Sequence, residues 1–232
     1  VLGLKKSSPA AFDKASLKEK YASFFYNKTF KFSYENNIIE RNLAIVANAF
    51  NFDFSSKSID EKKSFLFSSS RVVIGELSTT LPNVVIVPGA SYEAKCYPLE
   101  KIAEVINIIQ ANFLIIWGND NEKEKAFKIK NLAPSVKILN KFALGDLISL
   151  FEQVDLVIGP DTGPTHMAWA LNTASITLFG PTPGYRNTRV TEINKIIESK
   201  SIVDSNKIDK NDDSIKEIKI IDIVDLASKL LN

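Results

Sequence analysis

The sequence predicts an α/β fold built around a parallel β-sheet. From Arg71 onward, short apolar runs alternate with amphipathic segments of helical period, and glycine or proline closes several of the runs. Apolar runs of this length are typical of strands covered on both faces, as in a parallel sheet whose crossovers are helices. Because such crossovers are right-handed, we expect a doubly wound, Rossmann-like sheet.

The predicted elements follow one another in a regular order. Strands are expected at 84–89, 113–118, 136–140, 155–160, 175–180 and near 194–198, and helices at about 98–111, 121–132, 144–152, 164–171 and 221–231. The polar stretch 205–214, before the last helix, is expected to be a surface loop.

The first part of the chain has a different character. Two apolar patterns of helical period lie within 13–52, with no convincing strand between them. They comprise Ala15, Leu17, Tyr21, Phe24 and Phe25, then Ile38, Ile39, Leu43, Ile45, Val46 and Phe50. Residues 53–70 are polar and rich in serine and lysine, as in a connector. We therefore predict a mostly helical region over 1–70 and a sheet domain over 71–232.

Composition excludes several classes of protein. The net charge of +2 gives no overall basic field, so we expect no nucleic-acid partner. The single Cys96 excludes an internal disulfide framework and favours a reducing compartment such as the cytoplasm. No apolar run approaches the ~18 residues of a membrane span. The chain begins at Val1 and its only methionine is Met167, so we expect that an upstream segment is missing.

Residues that follow the predicted strands are the candidates for binding, because ligands of doubly wound sheets lie outside the carboxyl ends of the strands. Ser91 and Lys95 follow a glycine turn after the first strand, and a hydroxyl with a lysine suits a phosphate. Glu122 follows the second strand, where a carboxylate can accept hydrogen bonds from both hydroxyls of a ribose. Phe142 follows the third, where its backbone and ring can hold an adenine edge.

The most informative segment is 155–186, DLVIGPDTGPTHMAWALNTASITLFGPTPGYR. Asp161 and the only histidine, His166, flank a glycine turn at a predicted helix start. Backbone amides and the helix dipole favour phosphate there. The segment therefore predicts part of a nucleotide-sugar site.

Each candidate also has a purely structural interpretation. Lys95 fits an exposed surface lysine, and Glu122 fits a carboxylate that complements a helix dipole. Phe142 fits core packing, and Asp161 fits a helix N-cap. A lone histidine is often structural, but the position of His166, five residues after an acid and across a glycine turn, favours function.

These motifs resemble those of the lipopolysaccharide heptosyltransferases of glycosyltransferase family 9. The resemblance rests on Asp161-Thr162-Gly163-Pro164-Thr165-His166, on Phe179-Gly180-Pro181-Thr182 and on Pro88-Gly89-Ala90 with Lys95. It spans nearly the whole chain. The segments that resemble the type I enzymes most are Trp117-Gly118 with Glu122, Asn140-Lys141-Phe142, and the stretches 16–27 and 38–42.

The resemblance implies a GT-B fold, in which two Rossmann-like domains face a cleft. Residues 71–232 would be the C-terminal donor-binding domain, and 1–70 the end of a truncated N-terminal, acceptor-side domain. The implied site has Ser91 and Lys95 at the diphosphate, Glu122 at the ribose, the Phe142 backbone at the adenine, backbone amides from Thr162 and Gly163, His166 near the phosphates, and Asp161 at the heptose hydroxyls. Ala90 replaces a threonine often found in type I enzymes, which leaves Ser91 as the hydroxyl donor there.

The resemblance further implies transfer of L-glycero-D-manno-heptose from ADP-heptose to the Kdo of the lipopolysaccharide inner core, with inversion. No Asp-x-Asp occurs in the sequence, and no metal or other cofactor is expected. Lys95, the helix at Gly163 and protonated His166 would replace a metal. The family's base is an aspartate near the start of the first domain, which we expect upstream of Val1. No catalytic residue is therefore assigned, and this chain is expected to bind ADP or ADP-heptose weakly and to transfer nothing.

The expected partners are ADP-heptose and a Kdo-lipid A acceptor, met in the cytoplasm or at the cytoplasmic face of the inner membrane. The basic residues that are candidates to face this anionic acceptor are Lys14, Lys18, Lys20, Lys28 and Lys31. The oligomeric state is not predicted.

The sequence leaves alternatives to this assignment, and it argues against one further class. The chain fits a nucleotide-sugar binding module without catalysis, or another GT-B enzyme such as heptosyltransferase II or a sugar-nucleotide epimerase. A dinucleotide-dependent oxidoreductase would need G-x-G-x-x-G directly after the first strand, which VVIVPGASYEAK does not contain.

Overall fold

The computed structural model describes residues 10–17, 20–26 and 28–232. The chain folds into two compact units. Unit 1 contains the described residues up to Lys62 together with 185–189, and unit 2 contains 63–184 and 190–232. The assignment of residues 1–70 and 71–232 to acceptor-side and donor domains remains a prediction.

Unit 1 combines two short strands with two helices. The strands β1 (Ala10–Phe12) and β2 (Lys28–Phe30) pair in parallel. Helix α1 (Ile38–Phe50) begins where the Asn37 side chain accepts a hydrogen bond from the backbone N–H of Ile39. Helix α2 (Ser56–Asp60) begins at Ser55, whose hydroxyl accepts from the N–H of Ser58.

A buried arginine ties these elements together. Arg41 is 4% exposed, and its Nη2 donates to the Ser16 carbonyl at 2.9 Å. Its Nη1 donates to the carbonyls of Phe32, at 2.8 Å, and Ser33. The guanidinium carbon also lies 4.1 Å from the centre of the Phe12 ring. Because a buried charge needs such partners, Arg41 holds the β1 and β2 segments against α1.

The predicted mostly helical character of 13–52 is wrong for its first half. Residues 20–25 form only a 3₁₀ turn, and the side chains of Tyr21, Phe24 and Phe25 are 76–81% exposed. The Ser16 hydroxyl accepts from the N–H of Phe32 at 3.0 Å, so the segment after β1 is tied to the segment after β2 instead of continuing as a helix.

The second predicted helix is confirmed as α1, but with a different buried face. Its buried residues are Arg41, Ala44 and Ala47, whereas Val46 and Phe50 are 38% and 56% exposed. The connector predicted over 53–70 contains α2. Of the basic residues expected to face an anionic acceptor, those described with their side chains (Lys14, Lys20 and Lys31) are exposed. Lys18 and the side chain of Lys28 lie outside the described residues, as does part of the 16–27 stretch.

The sheet of unit 2 contains six parallel strands. They are β3 (Asn83–Ile86), β4 (Asn112–Ile115), β5 (Lys137–Ile138), β6 (Leu156–Pro160), β7 (Ser175–Phe179) and β8 (Asn194–Glu198). Their order across the sheet is β5-β4-β3-β6-β7-β8. The direction of winding therefore reverses between β3 and β6, as in a doubly wound fold.

Helices cover both faces of this sheet. They are α3 (Leu99–Ile108), α4 (Asp120–Leu132), α5 (Leu144–Phe151), α6 (Gly163–Leu171) and α8 (Ile220–Leu231), with the short α7 (Gly184–Asn187) between β7 and β8. Alternate residues of β3 face opposite cores. Val84 and Ile86 join the core formed with α3, α4 and α8, whereas Val85 joins the core formed with α5 and α6.

The predicted order of strands and helices in this region is confirmed, with ends displaced by a few residues. The sequence pattern did not predict α7 or the 3₁₀ turns at Glu93–Lys95 and Ser214–Glu217, because each is too short to show a period. The stretch 205–214 is irregular and mostly exposed, as expected of a loop.

A close contact at the end of β7 yields a stability prediction. A Cβ at Gly180 would lie 2.6 Å from the Cβ of Ile215 and 2.9 Å from its backbone nitrogen. Ile215 is 1% exposed, so neither partner can move aside freely. Gly180→Ala should lower the free energy of unfolding in urea by about 1–3 kcal/mol. Gly75→Ala is the matched control because a Cβ there meets nothing within 4 Å, and equal losses in the two variants would contradict the prediction.

Candidate functional site

The loops that follow β3 and β6 meet where the winding of the sheet reverses. β3 and β6 are hydrogen-bonded neighbours, with Val85 opposite Val157. In doubly wound sheets, the connections on either side of this point leave in opposite directions and open a crevice at the carboxyl ends of the strands. The segments 88–95 and 161–166 begin at this edge.

Asp161 directly follows β6 and is the centre of a buried polar cluster. It is 5% exposed, and its Oδ1 lies 2.9 Å from His166 Nε2. Its Oδ2 lies 3.1 Å from Lys95 Nζ and accepts a hydrogen bond from Thr182 Oγ1 at 2.9 Å. Lys95 comes from the loop after β3 and Thr182 from the loop after β7. Three loops therefore converge on one carboxylate.

The cluster keeps Asp161 ionised. Burial by itself would raise the pKa of this carboxyl, but the hydrogen bond with His166 and the charge of Lys95 outweigh burial. The pKa of Asp161 is consequently held well below its usual range. The site thus contains a permanent carboxylate that is largely shielded from water.

The contacts of Lys95 and Asp161 argue against the structural interpretation given for each of them. The Lys95 side chain is 11% exposed and pairs with Asp161, so it is not a solvated surface lysine. The N-cap residue of α6 is Thr162 rather than Asp161. The His166 side chain is 38% exposed, so part of its ring is open to solvent beside the carboxylate.

Hydrogen bonds of the Thr165 hydroxyl stabilise the start of α6, and the space beside Gly163 is open. The Thr165 hydroxyl lies 3.0 Å from the Pro160 carbonyl and 2.8 Å from the Thr162 carbonyl, and it accepts from the N–H of Thr162 at 3.3 Å. A Cβ at Gly163 would meet nothing within 4 Å. The exposed Gly163 therefore begins the helix with open space beside it, where the helix dipole favours an anion.

A cleft of about 240 Å³ adjoins these loops. Its lining comprises Val87, Gly89, Ile116, Trp117, Gly118, Glu122, Phe142, Leu147, Thr162 and Pro164. The cleft combines an apolar floor with one carboxylate, the mixture that small-molecule sites commonly show.

Glu122 occupies a defined position in this cleft. Its Oε2 accepts from the backbone N–H of Gly118 at 2.7 Å, and its own N–H donates to the Asn119 side chain that caps α4. A Cβ at Gly89 would lie only 2.4 Å from Glu122 Cγ. The glycine after β3 therefore makes room for the carboxylate that follows β4.

The structure thus arranges the predicted residues in two adjoining groups. Lys95, Asp161 and His166 form the polar cluster, while Glu122, Phe142 and Thr162 line the cleft. Phe142 is also half-buried and packs against the core below, so its two interpretations are compatible. Gly163 is exposed at the start of α6, and Ser91 is exposed in the loop between β3 and Lys95.

Sequence reasoning missed one member of the cluster and part of the lining. Thr182 belongs to the Phe179–Thr182 motif and follows β7, so its place at a strand end was the signal that could have found it. Trp117 also lines the cleft and donates from its Nε1 to the Leu139 carbonyl at 2.8 Å. Within the part of the chain that the structure describes, no group of three or more His, Cys, Asp or Glu residues could hold a metal. None of the described helices is both long and apolar enough to span a membrane.

The strand order and the position of the cleft define a doubly wound α/β domain with a cleft where the winding reverses. The model of glycosyltransferase family 9 (heptosyltransferase) matches residues 1–216. The chain belongs to this family, which confirms the resemblance stated from sequence.

Relatives and solved structures support the same assignment. The chain is 38% identical over 238 residues to lipopolysaccharide heptosyltransferase 1 of Campylobacter coli, an alignment that covers 94% of this chain and 68% of the relative. It is 23% identical to lipopolysaccharide heptosyltransferase 1 of Pseudomonas aeruginosa and spans 50% of that protein.

Two solved structures show the same fold. E. coli heptosyltransferase WaaC with ADP matches with a TM-score of 0.71 at 17% identity, over 95% of this chain and 65% of that one. E. coli ADP-heptose heptosyltransferase II matches with a TM-score of 0.64 at 19% identity, over 91% of this chain and 68% of that one. The predicted α/β, GT-B-type fold class is therefore confirmed.

The buried carboxylate gives a prediction about stability and pH. Asp161→Asn leaves the Lys95 charge without its partner and should lower the free energy of unfolding by about 2–3 kcal/mol at pH 7. Because the folded pKa of Asp161 lies below the unfolded value, the stabilisation is complete above the ordinary carboxyl range and is lost as the pH falls through it, below about 4.

Urea unfolding at pH 7 and at about pH 3 measures this difference between the variant and the unchanged chain. Asp225→Asn, at an exposed position of α8, is the control and should have little effect at either pH. A deficit for Asp161→Asn that stays constant with pH would contradict the role of the ionised carboxylate.

Proposed function

We propose that this chain provides the donor site of a heptosyltransferase that moves L-glycero-D-manno-heptose from ADP-heptose to the Kdo of the lipopolysaccharide inner core. The observation that carries the proposal is the ionised, buried Asp161, held between Lys95 and His166 beside a cleft that contains Glu122. The names of the relatives, lipopolysaccharide heptosyltransferases 1, support the sugar and the type of acceptor.

The nucleoside would lie in the cleft. The Glu122 carboxylate, already directed to the strand end by the Gly118 amide, has lone pairs left to accept from the ribose hydroxyls. Phe142 and Trp117 line the same cleft and would cover an adenine, with Phe142 offering its backbone to the base edge. ADP bound to WaaC, a protein of the same fold, supports adenine as the base.

The diphosphate would lie between Lys95 and the start of α6. Gly163 is exposed there and would donate from its amide, with Ser91 and the open edge of His166 as further donors. The Thr162 amide donates to the Thr165 hydroxyl at 3.3 Å and would have to leave it to reach the diphosphate. These groups supply the positive potential that a departing ADP requires, and we propose that no metal takes part.

Asp161 would hold the heptose. A carboxylate that stays ionised accepts hydrogen bonds from sugar hydroxyls and stabilises the positive charge that develops on the sugar during transfer. Inversion requires the acceptor hydroxyl to attack from the side opposite ADP, with its proton taken by a base. We assign no residue of this chain as that base. We place the acceptor reaction at the cytoplasmic face of the inner membrane.

Nucleotide selectivity tests the donor site. ADP and ADP-heptose should raise the thermal unfolding temperature of the chain, whereas UDP and GDP at the same concentration should not. Glu122→Gln should weaken ADP binding by about tenfold in calorimetry, because a charged acceptor for the ribose is lost. Glu124→Gln, exposed on the same helix, is the control. Stabilisation by UDP equal to that by ADP would contradict the proposal.

Transfer itself is tested with the gene product that contains this sequence, Kdo-lipid A and ADP-heptose. Heptose transfer should be seen and should be unchanged by EDTA, and Lys95→Gln should reduce it by about a hundredfold or more because the leaving diphosphate loses its cation. Donor binding without transfer would instead favour the non-catalytic binding module. Loss of transfer on EDTA treatment would contradict metal independence.

A further inference from the structure

The charge of Lys95 is already matched before any donor arrives. Its Nζ lies 3.1 Å from the ionised Asp161, and both side chains are largely buried. An anion that approaches this pair meets one positive and one negative charge, so the pair alone offers little net attraction. A diphosphate carries several negative charges. A second cation at the same place would therefore change the binding energy considerably.

The Tyr92 ring has two ammonium groups near it. The Lys95 Nζ is 5.6 Å from the centre of the Tyr92 ring, and the Lys210 Nζ is 5.8 Å from the same centre. Both distances are within the range of attraction between an ammonium and an aromatic face. The Tyr92 pKa is raised, first by burial and then by the negative charge of Asp161, which places the tyrosine beside the polar cluster.

Lys210 reaches this position on an anchored loop. The loop leaves the carboxyl end of β8, the edge of the sheet where the other site loops begin. The hydroxyls of Ser199 and Ser214 are 2.8 Å apart at its base, and Ser201 Oγ donates to Asp212 Oδ2 at 2.6 Å. Lys210 is two residues before Asp212, so this hydrogen bond helps to fix the position of the Lys210 backbone. The Lys210 side chain itself is exposed.

Neighbouring lysines have other roles in the structure. Lys125 Nζ binds Glu93 Oε2 at 2.6 Å and lies 3.3 Å from the buried Cys96 sulfur. Lys123 Nζ lies 4.8 Å from the Trp117 ring, on the nucleoside side of the cleft. Among the described lysines, Lys210 shares the aromatic neighbour of Lys95 and is exposed.

We propose that Lys210 is a second cation for the diphosphate of the donor, positioned over the site by the ring of Tyr92. The inference rests on the proposed function, because it assumes that the anion beside Lys95 is the diphosphate of an ADP-sugar. Asp161 neutralises the charge of Lys95, and Lys210 then supplies a positive charge for the diphosphate.

Calorimetry with ADP and with adenosine tests this assignment. Lys210→Gln should weaken ADP binding by about threefold to tenfold at low salt, as expected for a charged contact that is partly open to water. Adenosine has no phosphate, so its affinity should not change. The loss should shrink as salt is added, because an exposed cation is screened.

Lys207→Gln is the matched control, since Lys207 is exposed in the same loop, three residues earlier. Equal ADP affinity in the two variants would overturn the inference. An unchanged ADP affinity in Lys210→Gln with a raised KM for the lipid acceptor would overturn it too, because the lysine would then serve the acceptor. Failure of the unchanged chain to bind ADP would instead overturn the proposed function, and the inference with it.

Tyr92 provides a second, independent test. Tyr92→Phe keeps the aromatic ring and should leave the ADP affinity unchanged. Tyr92→Leu removes the ring and should weaken ADP binding, as Lys210→Gln does. The double variant Tyr92→Leu, Lys210→Gln should lose less than the two single losses combined, because both act through one contact. Additive losses, with thermal unfolding showing all variants folded, would contradict a positioning role for Tyr92.

Discussion

The burial of one carboxylate is the constraint on which the site depends. An ionised Asp161 without partners would be too costly to bury, so its retention requires Lys95, His166 and Thr182 to reach it together. Those residues come from loops after three different strands. The charge therefore acts as a common anchor that brings the loops after β3, β6 and β7 into one arrangement before a ligand is bound, as preorganised electrostatic sites require.

The cleft beside the cluster depends on close backbone approach. Gly89 leaves the space that Glu122 fills, and the Gly118 amide holds the Glu122 carboxylate at the end of β4. The tight contact is at Gly89, where a Cβ would lie 2.4 Å from Glu122 Cγ. The parallel pairing of β3 and β4 aligns the ends of the two strands. It also brings their loops so close that the size of residue 89 decides where the Glu122 side chain can lie.

Periodicity predicted unit 2 well because its strands are continuous apolar runs and its helices have one apolar stripe. The rule that ligands lie at strand ends predicted Lys95, Glu122, Asp161 and His166 as binding residues, and the fold brings them to one edge of the sheet. Their binding roles stay predictions. Unit 1 was harder, because Arg41 organises it through carbonyl oxygens that no sequence pattern displays. The contact of Lys210 with Tyr92 joins distant parts of the chain, and only the folded structure reveals it.

The shortest strand has a consequence of its own. β5 forms one margin of the sheet and is only two residues long, and Lys137 in it is held through its ammonium by the Glu76 carbonyl at 2.7 Å. A margin this short presents few backbone groups to which a strand from another molecule could add. The sheet can therefore stay open at its ligand-binding edge while its β5 margin resists the addition of a further strand.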